Sequence, residues 1–159
     1  MSWVVECDPD FLLVSKGVGI SRREIIHRRG KGRVLEELRK RGGKGLVDED
    51  PGSPQPSYLG EMVLADQLEA EGLRVLADRL KGSQVIVLCP RLEEWLLGAA
   101  READIDFQDF GFPKEPNLLH RALMGIKRDQ RRRLRFEELL EILSSHSKRF
   151  EALKRICHA

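Results

Sequence analysis

Two short acidic segments follow apolar runs of the kind that form buried strands. The triplet Asp48-Glu49-Asp50 comes directly after Gly45-Leu46-Val47 and precedes the breaker pair Pro51-Gly52. Alternate residues of a strand point to the same side, so we expect Asp48 and Asp50 to project together towards one cation. Carboxylate oxygens are the ligands that Mg²⁺ prefers. The sequence therefore predicts a site for Mg²⁺, or Mn²⁺, at the end of this strand.

Further carboxylates are expected at the ends of two other strands. Glu6 ends the apolar run 3–5, with Asp10 shortly after it, and Glu93 follows the run 84–89 in the first turn of a predicted helix. In parallel α/β sheets, ligands gather outside the carboxyl ends of the strands. The ordinary alternatives are that acidic loops are merely solvated and that Glu93 compensates the helix dipole.

The small net charge of +2 conceals segments of opposite sign. Residues 22–44 hold ten Lys and Arg against three acids, and residues 113–159 hold twelve against six, whereas residues 45–112 hold five against fourteen. Acids at strand ends between basic helices suit a polyanion such as DNA or RNA, whose phosphates would be held by Arg and Lys; solvated helix faces would give the same pattern. The candidate phosphate contacts are Arg22, Arg23, Arg28, Arg29 and Lys31, and Lys127, Arg128, Arg131, Arg132, Arg133 and Arg135.

Composition limits the class of protein. A chain of 159 residues can bury about 70% of its unfolded surface as one domain. No apolar stretch approaches the roughly 20 residues of a membrane helix, and the first residues lack the pattern of a signal peptide, so a cytoplasmic protein with no membrane partner is expected. The three cysteines form no disulfide framework or CxxC motif, and the four histidines show no paired ligand spacing.

Periodicity and breaker residues predict an α/β fold with a mostly parallel sheet between helices. Strands are expected at 3–5, 45–47, 73–76 and 84–89. A capping box of Ser21 and Glu24 predicts a helix that ends near Gly42, and the apolar spacing after Ser57 predicts a helix as far as Gly72. Further helices are expected over 91–101, 118–128, 134–143 and 149–156. The expected organisation is an α/β core at 1–112 with a helical extension at 113–159 packed on the same domain.

This order of acids and elements resembles the TOPRIM domain, the metal-binding core of topoisomerases, primases and OLD-type nucleases. The segment from Glu6 to Leu12 resembles the Glu-Gly-x-x-Asp/Glu-x-x-Leu opening of that family, with Cys7 where the family usually has glycine. Residues 46–50 resemble its Asp-x-Asp strand, and residues 90–97 a Pro-x-x-Glu-x-Trp helix start. The resemblance covers about residues 1 to 100 and is strongest to small stand-alone TOPRIM-like proteins.

The resemblance implies a TOPRIM-like, Rossmann-like sheet and a function. Glu6 would ligate metal or handle a proton, Asp48 and Asp50 would hold Mg²⁺, and Asp10 and Glu93 would be accessory acids. The implied activity is that of a Mg²⁺-dependent nucleic-acid phosphodiesterase in a defence or mobile-element system. The alternative is a non-catalytic binding or adaptor module that acts with a separately encoded partner, since the chain has no Walker GxxxxGK[ST] motif for an ATPase of its own.

Overall fold

The protein has an α/β fold with a mixed, mostly parallel sheet. The computed structural model describes residues 1–159 and contains six strands in the order β2-β1-β3-β6-β5-β4. Strands β2, β1, β3 and β6 run parallel, and β5 and β4 complete the sheet through antiparallel pairs. This architecture is consistent with a Rossmann-like fold. The strands are β1 (Trp3–Val5), β2 (Ile25–His27), β3 (Lys44–Asp48), β4 (Val63–Leu68), β5 (Leu73–Asp78) and β6 (Ser83–Leu88).

Seven α-helices cover the two faces of the sheet. The smaller hydrophobic cluster lies on one face, where α2 and α3 pack on Val47, Val85 and Val87, and the larger one lies on the other face, where α4, α6 and α7 bury Leu46 and Ile86. Strand residues alternate between the two clusters because successive side chains of a strand point to opposite faces. The helices are α1 (Asp8–Leu12), α2 (Lys31–Arg41), α3 (Ser57–Glu61), α4 (Leu92–Ala103), α5 (Pro116–Met124), α6 (Gln130–His146) and α7 (Lys148–Cys157).

Helix α2 packs closely on β3 and begins at the carboxyl edge of the parallel strands. A Cβ at Gly45 would lie 2.6 Å from Cδ1 of Leu38, so the helix approaches the strand at a position where only glycine fits without a shift. Because β2 ends at the carboxyl edge of the parallel strands, α2 begins at that edge and runs back. Lys31, its first residue, therefore lies beside the carboxyl ends of β1 and β3.

Most predicted elements are confirmed, and two are confirmed only in part. Strands at β1, β3, β5 and β6 and the helices from α4 onwards lie where the sequence predicts them. The helix predicted from Ser21 is confirmed in its second half, as α2, which ends before Gly42; its first half is a short 3₁₀ turn followed by β2, and Ser21 makes no capping hydrogen bond. The predicted helix from Ser57 ends at Glu61, and the chain continues as β4, the exposed edge strand of a hairpin with β5.

No helix of the structure combines the length and the apolar character that are needed to cross a membrane.

Candidate functional site

Five predicted carboxylates gather at the carboxyl edge of the parallel strands. In the register of the sheet, Val5 lies beside Leu46 and Asp48 lies beside Leu88, so β1, β3 and β6 end at one edge. Their charges act on one another: those of Asp10, Glu93, Asp50 and Glu6 all contribute to the raised pKa of Asp48. We call Glu6, Asp10, Asp48, Asp50 and Glu93 the acidic cluster.

Asp48 joins β3 to the start of α4. Its Oδ1 accepts a hydrogen bond of 3.0 Å from the backbone N–H of Leu92, the first residue of that helix. A helix N-terminus favours negative charge, yet burial, followed by the charges of Asp10 and Glu93, raises the pKa of Asp48 to about 9. The carboxyl group therefore lacks the positive charge that would keep it ionised at neutral pH.

Glu93 is as deeply buried as Asp10, with 4 % of the residue exposed. Its Oε1 lies 2.5 Å from Nδ1 of His120 on α5. The other oxygen, Oε2, is buried and has no hydrogen-bond partner. Buried polar atoms are almost always partnered, and no group of the protein partners this oxygen.

Asp10 is fully enclosed beneath the cluster on α1. Burial raises its pKa to about 7, and the charges of Glu6 and Glu93 contribute to the same shift. Burial and the charge of Asp10 also raise the pKa of the neighbouring Cys7 thiol far above its ordinary value. Because the thiolate is the nucleophilic form, this shift disfavours Cys7 as a nucleophile.

Glu6 and Asp50 lie at the open side of the cluster, next to Lys31. Burial and the charge of Asp50 raise the pKa of Glu6, whereas Lys31 lowers it. The Lys31 ammonium lies 3.9 Å from Oδ2 of Asp50 and donates hydrogen bonds to the Glu49 carbonyl and the Gln55 side chain. Lys31 thus faces Glu6 and Asp50, and Arg91 interacts with Glu93 and Asp48. Two cations face five acids, which leaves the cluster with excess negative charge when they are ionised.

The predicted reason for the pairing of Asp48 and Asp50 is wrong, although the two residues are close. Strand β3 ends at Asp48, and Asp50 has a left-handed backbone with φ 48°. Strand alternation therefore does not set the direction of Asp50. The turn after the strand brings it back, because its N–H bonds the Pro90 carbonyl beyond β6.

Carboxylate oxygens are ligands that suit Mg²⁺, but the side chains of the cluster do not converge as a metal cage. No group of three or more His, Cys, Asp or Glu residues in the structure is arranged so that it could hold a metal ion. Mg²⁺ commonly keeps several waters and takes only one or two carboxylates together with substrate phosphates. The unpartnered oxygen of Glu93 and the raised pKa values of Asp10 and Asp48 are what a cation would relieve.

Comparison of the chain with models of protein families, with curated proteins and with solved structures gives no match. The resemblance to the TOPRIM domain stays a prediction. The acids that carry it nevertheless come from three separate segments of the chain and meet at one edge of the sheet.

The two predicted basic segments meet in the structure. Nη2 of Arg22 lies 3.5 Å from Oε1 of Glu137, and Nε of Arg133 lies 3.6 Å from the same oxygen. Arg28 and Arg132 are also engaged in ion pairs, with Glu37 and Asp129. The six others are exposed and form no ion pair. We call all ten the basic surface: Arg22, Arg23, Arg28, Arg29, Lys127, Arg128, Arg131, Arg132, Arg133 and Arg135.

Two histidines that sequence reasoning set aside lie at this edge. His120 bonds Glu93 across 27 positions of sequence, and Nε2 of His27 lies 3.0 Å from the Glu6 carbonyl, to which it donates. A ligand-spacing rule cannot find either contact, because one joins a histidine to a carboxylate on another element and the other joins a histidine to a backbone carbonyl. The only available signal for His27 was its place after an apolar pair, Ile25-Ile26, at the end of a strand that went unrecognised.

Proposed function

We propose that this protein is a Mg²⁺- or Mn²⁺-dependent phosphodiesterase of the TOPRIM type that cleaves DNA or RNA. The observation that carries the proposal is the buried, unpartnered Oε2 of Glu93 within the acidic cluster. An oxygen without a partner in such a place costs about 1–3 kcal/mol or more. A bound cation would recover that cost and would also let Asp10 and Asp48 ionise.

The cluster and its surroundings also favour a polyanionic substrate. A phosphate cannot approach several ionised carboxylates without an intervening cation, so the acids alone would repel nucleic acid. The chain between β2 and α2 places Arg28, Arg29 and Lys31 at the same edge as Glu6. These side chains can hold phosphates on either side of the reacting one without reading sequence.

In this proposal each part of the cluster has a separate task. Glu6, Asp48 and Asp50 would hold the ion from the open side, and the accessory acids Asp10 and Glu93 would reach it from the buried side, where Oε2 of Glu93 has no partner in the protein. Bound Mg²⁺ would polarise a phosphoryl oxygen and stabilise charge on the attacking and leaving oxygens. His120 holds Oε1 of Glu93 by a hydrogen bond, so Oε2 is free to contact the ion. His120 is therefore a positioning residue.

The proposal is tested by cleavage of labelled single- and double-stranded DNA and RNA with Mg²⁺, Mn²⁺ or EDTA. We expect metal-dependent cleavage by the wild-type protein and a loss of about 10- to 100-fold in rate in Glu93→Gln. Glu94→Gln is the matched control, because Glu94 pairs with Arg91 on the outer side of the same helical turn. Equal rates in the two variants would show that Glu93 is not part of the proposed site. The unpartnered oxygen of Glu93 would then no longer support the proposal.

Two residues of the basic surface allow a second test that is independent of chemistry. Lys127 and Arg128 are exposed on a short 3₁₀ turn, Ile126–Arg128, that packs against α1. Replacing both by glutamine should weaken binding of single-stranded DNA and should lower the slope of log K against log salt by about 1.5, since each phosphate contact contributes roughly 0.7–0.9.

The matched control removes two positive charges from the opposite edge of the sheet. Arg79 and Lys81 are exposed in the turn between β5 and β6, so Arg79→Gln with Lys81→Gln should leave the salt slope unchanged. An equal fall of the slope in both double variants would mean that net charge, and no particular surface, governs binding.

One feature favours the second candidate function, a binding module that acts with a separately encoded partner. Edge strand β4 is exposed along almost its whole length, and Val63 and Leu64 present apolar side chains to solvent. Unpaired edge strands are ready to add a further strand. If the wild-type protein cleaves no substrate with any metal, the partner-dependent function takes precedence.

A further inference from the structure

A cavity of about 360 Å³ lies next to the acidic cluster, and Glu49, the residue after Asp48, is part of its lining. Its floor is apolar and consists of Leu59, Leu76 and Val87, and its polar wall includes Lys31, Gln55 and Arg74. Cavities that bind small ligands generally measure about 300–1,000 Å³ and combine an apolar lining with a few polar groups. The volume and lining are therefore those of a site for a small ligand with both apolar and polar parts.

The sheet positions the floor of this cavity. Arg74 and Leu76 alternate along β5 and so share one face, and Arg74 lies opposite Val87 of β6 in the register. The loop after β3 provides the facing wall. Gln55 holds that loop because its amide nitrogen donates to the carbonyls of Glu49, Asp50 and Ser53, while its oxygen accepts from Lys31. The cavity is thus formed in advance by the fold.

Arg74 places a guanidinium group in the wall of the cavity. Its Nη2 lies 3.2 Å from Oε2 of Glu49, and the side chain is 37 % exposed. A guanidinium has five N–H donors in a fixed fork, so it can pair with Glu49 and still donate to a ligand in the cavity. The adjacent Glu49 carboxylate supplies an acceptor, so the pair presents a donor and an acceptor side by side, as the edge of a nucleobase does.

Lys31 connects the cavity to the acidic cluster. The same ammonium group lines the cavity and lies 3.9 Å from Asp50. A nucleotide with its base in the cavity would therefore direct its phosphate past Lys31 towards the cluster. We propose that this cavity binds one nucleobase of the nucleic-acid strand, next to the phosphate that reaches the acidic cluster. The proposal rests on the proposed function for its substrate class and adds a base-binding subsite to it.

The test compares binding of two labelled oligonucleotides of equal length, one of thymidine and one of abasic deoxyribose phosphate, by fluorescence anisotropy. The measurement is made in EDTA and again with Ca²⁺, so that it does not depend on cleavage. We expect the wild-type protein to bind the base-containing strand about tenfold more tightly, because one base buries apolar surface against Leu59, Leu76 and Val87. Equal affinity for the two strands, or no binding of either, would overturn the proposal.

Variants that fill the cavity separate the base subsite from general phosphate binding. Leu76→Trp should reduce the ratio of the two affinities to about one while binding of the abasic strand is unchanged. Leu59→Trp fills the cavity from α3 and serves if the first variant fails to fold, as judged by thermal unfolding. The control is Leu80→Trp, at a turn residue that is 99 % exposed, which should keep the wild-type ratio. A ratio that persists in both folded filling variants would place base binding elsewhere.

Failure of the subsite and failure of the proposed function are distinguishable. Metal-dependent cleavage without discrimination between the two strands would leave the phosphodiesterase in place and remove the subsite. Discrimination that is lost in Leu76→Trp, without cleavage under any condition, would leave the subsite in place and identify the protein as a nucleic-acid binding module.

Discussion

The double variant Asp48→Ala, Asp50→Ala is expected to lose Mg²⁺ binding and metal-dependent cleavage together. Asp48 accepts only one hydrogen bond from the protein, and Asp50 has only Lys31 nearby as a counter-charge. Their oxygens are therefore the ones most available to a cation at the open side of the cluster. The cleavage rate should fall about a thousandfold or more, as expected when the charge stabilisation of a phosphoryl transfer is removed.

The fold should survive this change. Loss of the bond from Asp48 to the Leu92 N–H costs about 1 kcal/mol, as for other helix caps. Removal of two acids from a cluster whose members raise one another's pKa offsets that cost. The thermal unfolding temperature of the metal-free variant should consequently lie near that of the wild type.

A control of equal charge distinguishes loss of the site from loss of negative charge. Asp66 and Asp109 are exposed and lie outside the acidic cluster, so their double replacement by alanine removes the same two charges and should preserve Mg²⁺ affinity. Isothermal titration with Mg²⁺ checks both variants. Unchanged affinity in the Asp48→Ala, Asp50→Ala protein would exclude these residues as the metal ligands.

The elements that sequence reasoning found are those whose local pattern agrees with their final burial. The run 84–89 is apolar and β-branched, and as β6 it lies at the centre of the sheet with both faces covered. Strand β3 is likewise marked at both ends, by Gly42-Gly43 and by the acids. For these strands the local sequence pattern and the environment in the fold favour the same conformation.

The two strands that were missed owe their conformation to partners distant in sequence. Strand β2 has only three residues and follows a capping-box pattern, but Ile26 pairs with Val4 of β1, and that pairing makes it a strand. In β4 the apolar spacing resembles that of a helix, while the hairpin with β5 determines the structure. Tertiary contacts outweigh local propensity in both cases.

The candidate site, like the fold, could be predicted from the sequence only in part. Glu6 and Asp48 could be selected because each follows a recognisable strand. The contact of His120 with Glu93 joins two elements that sequence reasoning had no means to align, and the buried oxygen of Glu93 becomes visible only when its surroundings are known. Spacing identifies acids at strand ends, whereas the absence of a partner is a property of the fold.

The metal-free protein is expected to lose stability as the pH rises from about 4 to about 9. The pKa of Asp10 is raised to about 7 and that of Asp48 to about 9, from an ordinary value of 3.8. The folded protein therefore binds more protons than the unfolded chain throughout this interval, and its free energy of unfolding must fall with rising pH. Each pKa unit corresponds to about 1.4 kcal/mol, so a loss of several kcal/mol is expected.

Mg²⁺ should reverse this trend because it binds the ionised carboxylates and competes with protons. Its stabilisation grows with the ratio of free ion to dissociation constant, and that constant falls as the acids lose their protons. The difference in unfolding free energy with and without Mg²⁺ should be small near pH 5 and largest near pH 9. Urea denaturation across this range, in EDTA and in Mg²⁺, measures both slopes.

Substitution of one buried acid identifies the source of the effect. Asp48→Asn removes the group with the higher pKa while it retains the shape and the oxygen that accepts from the Leu92 N–H. It should flatten the pH dependence in EDTA and remove most of the stabilisation by Mg²⁺. Asp66→Asn, on the exposed strand β4, should leave both unchanged. A wild-type stability that does not change with pH would show that the buried acids are relieved within the protein itself, without any need for a cation.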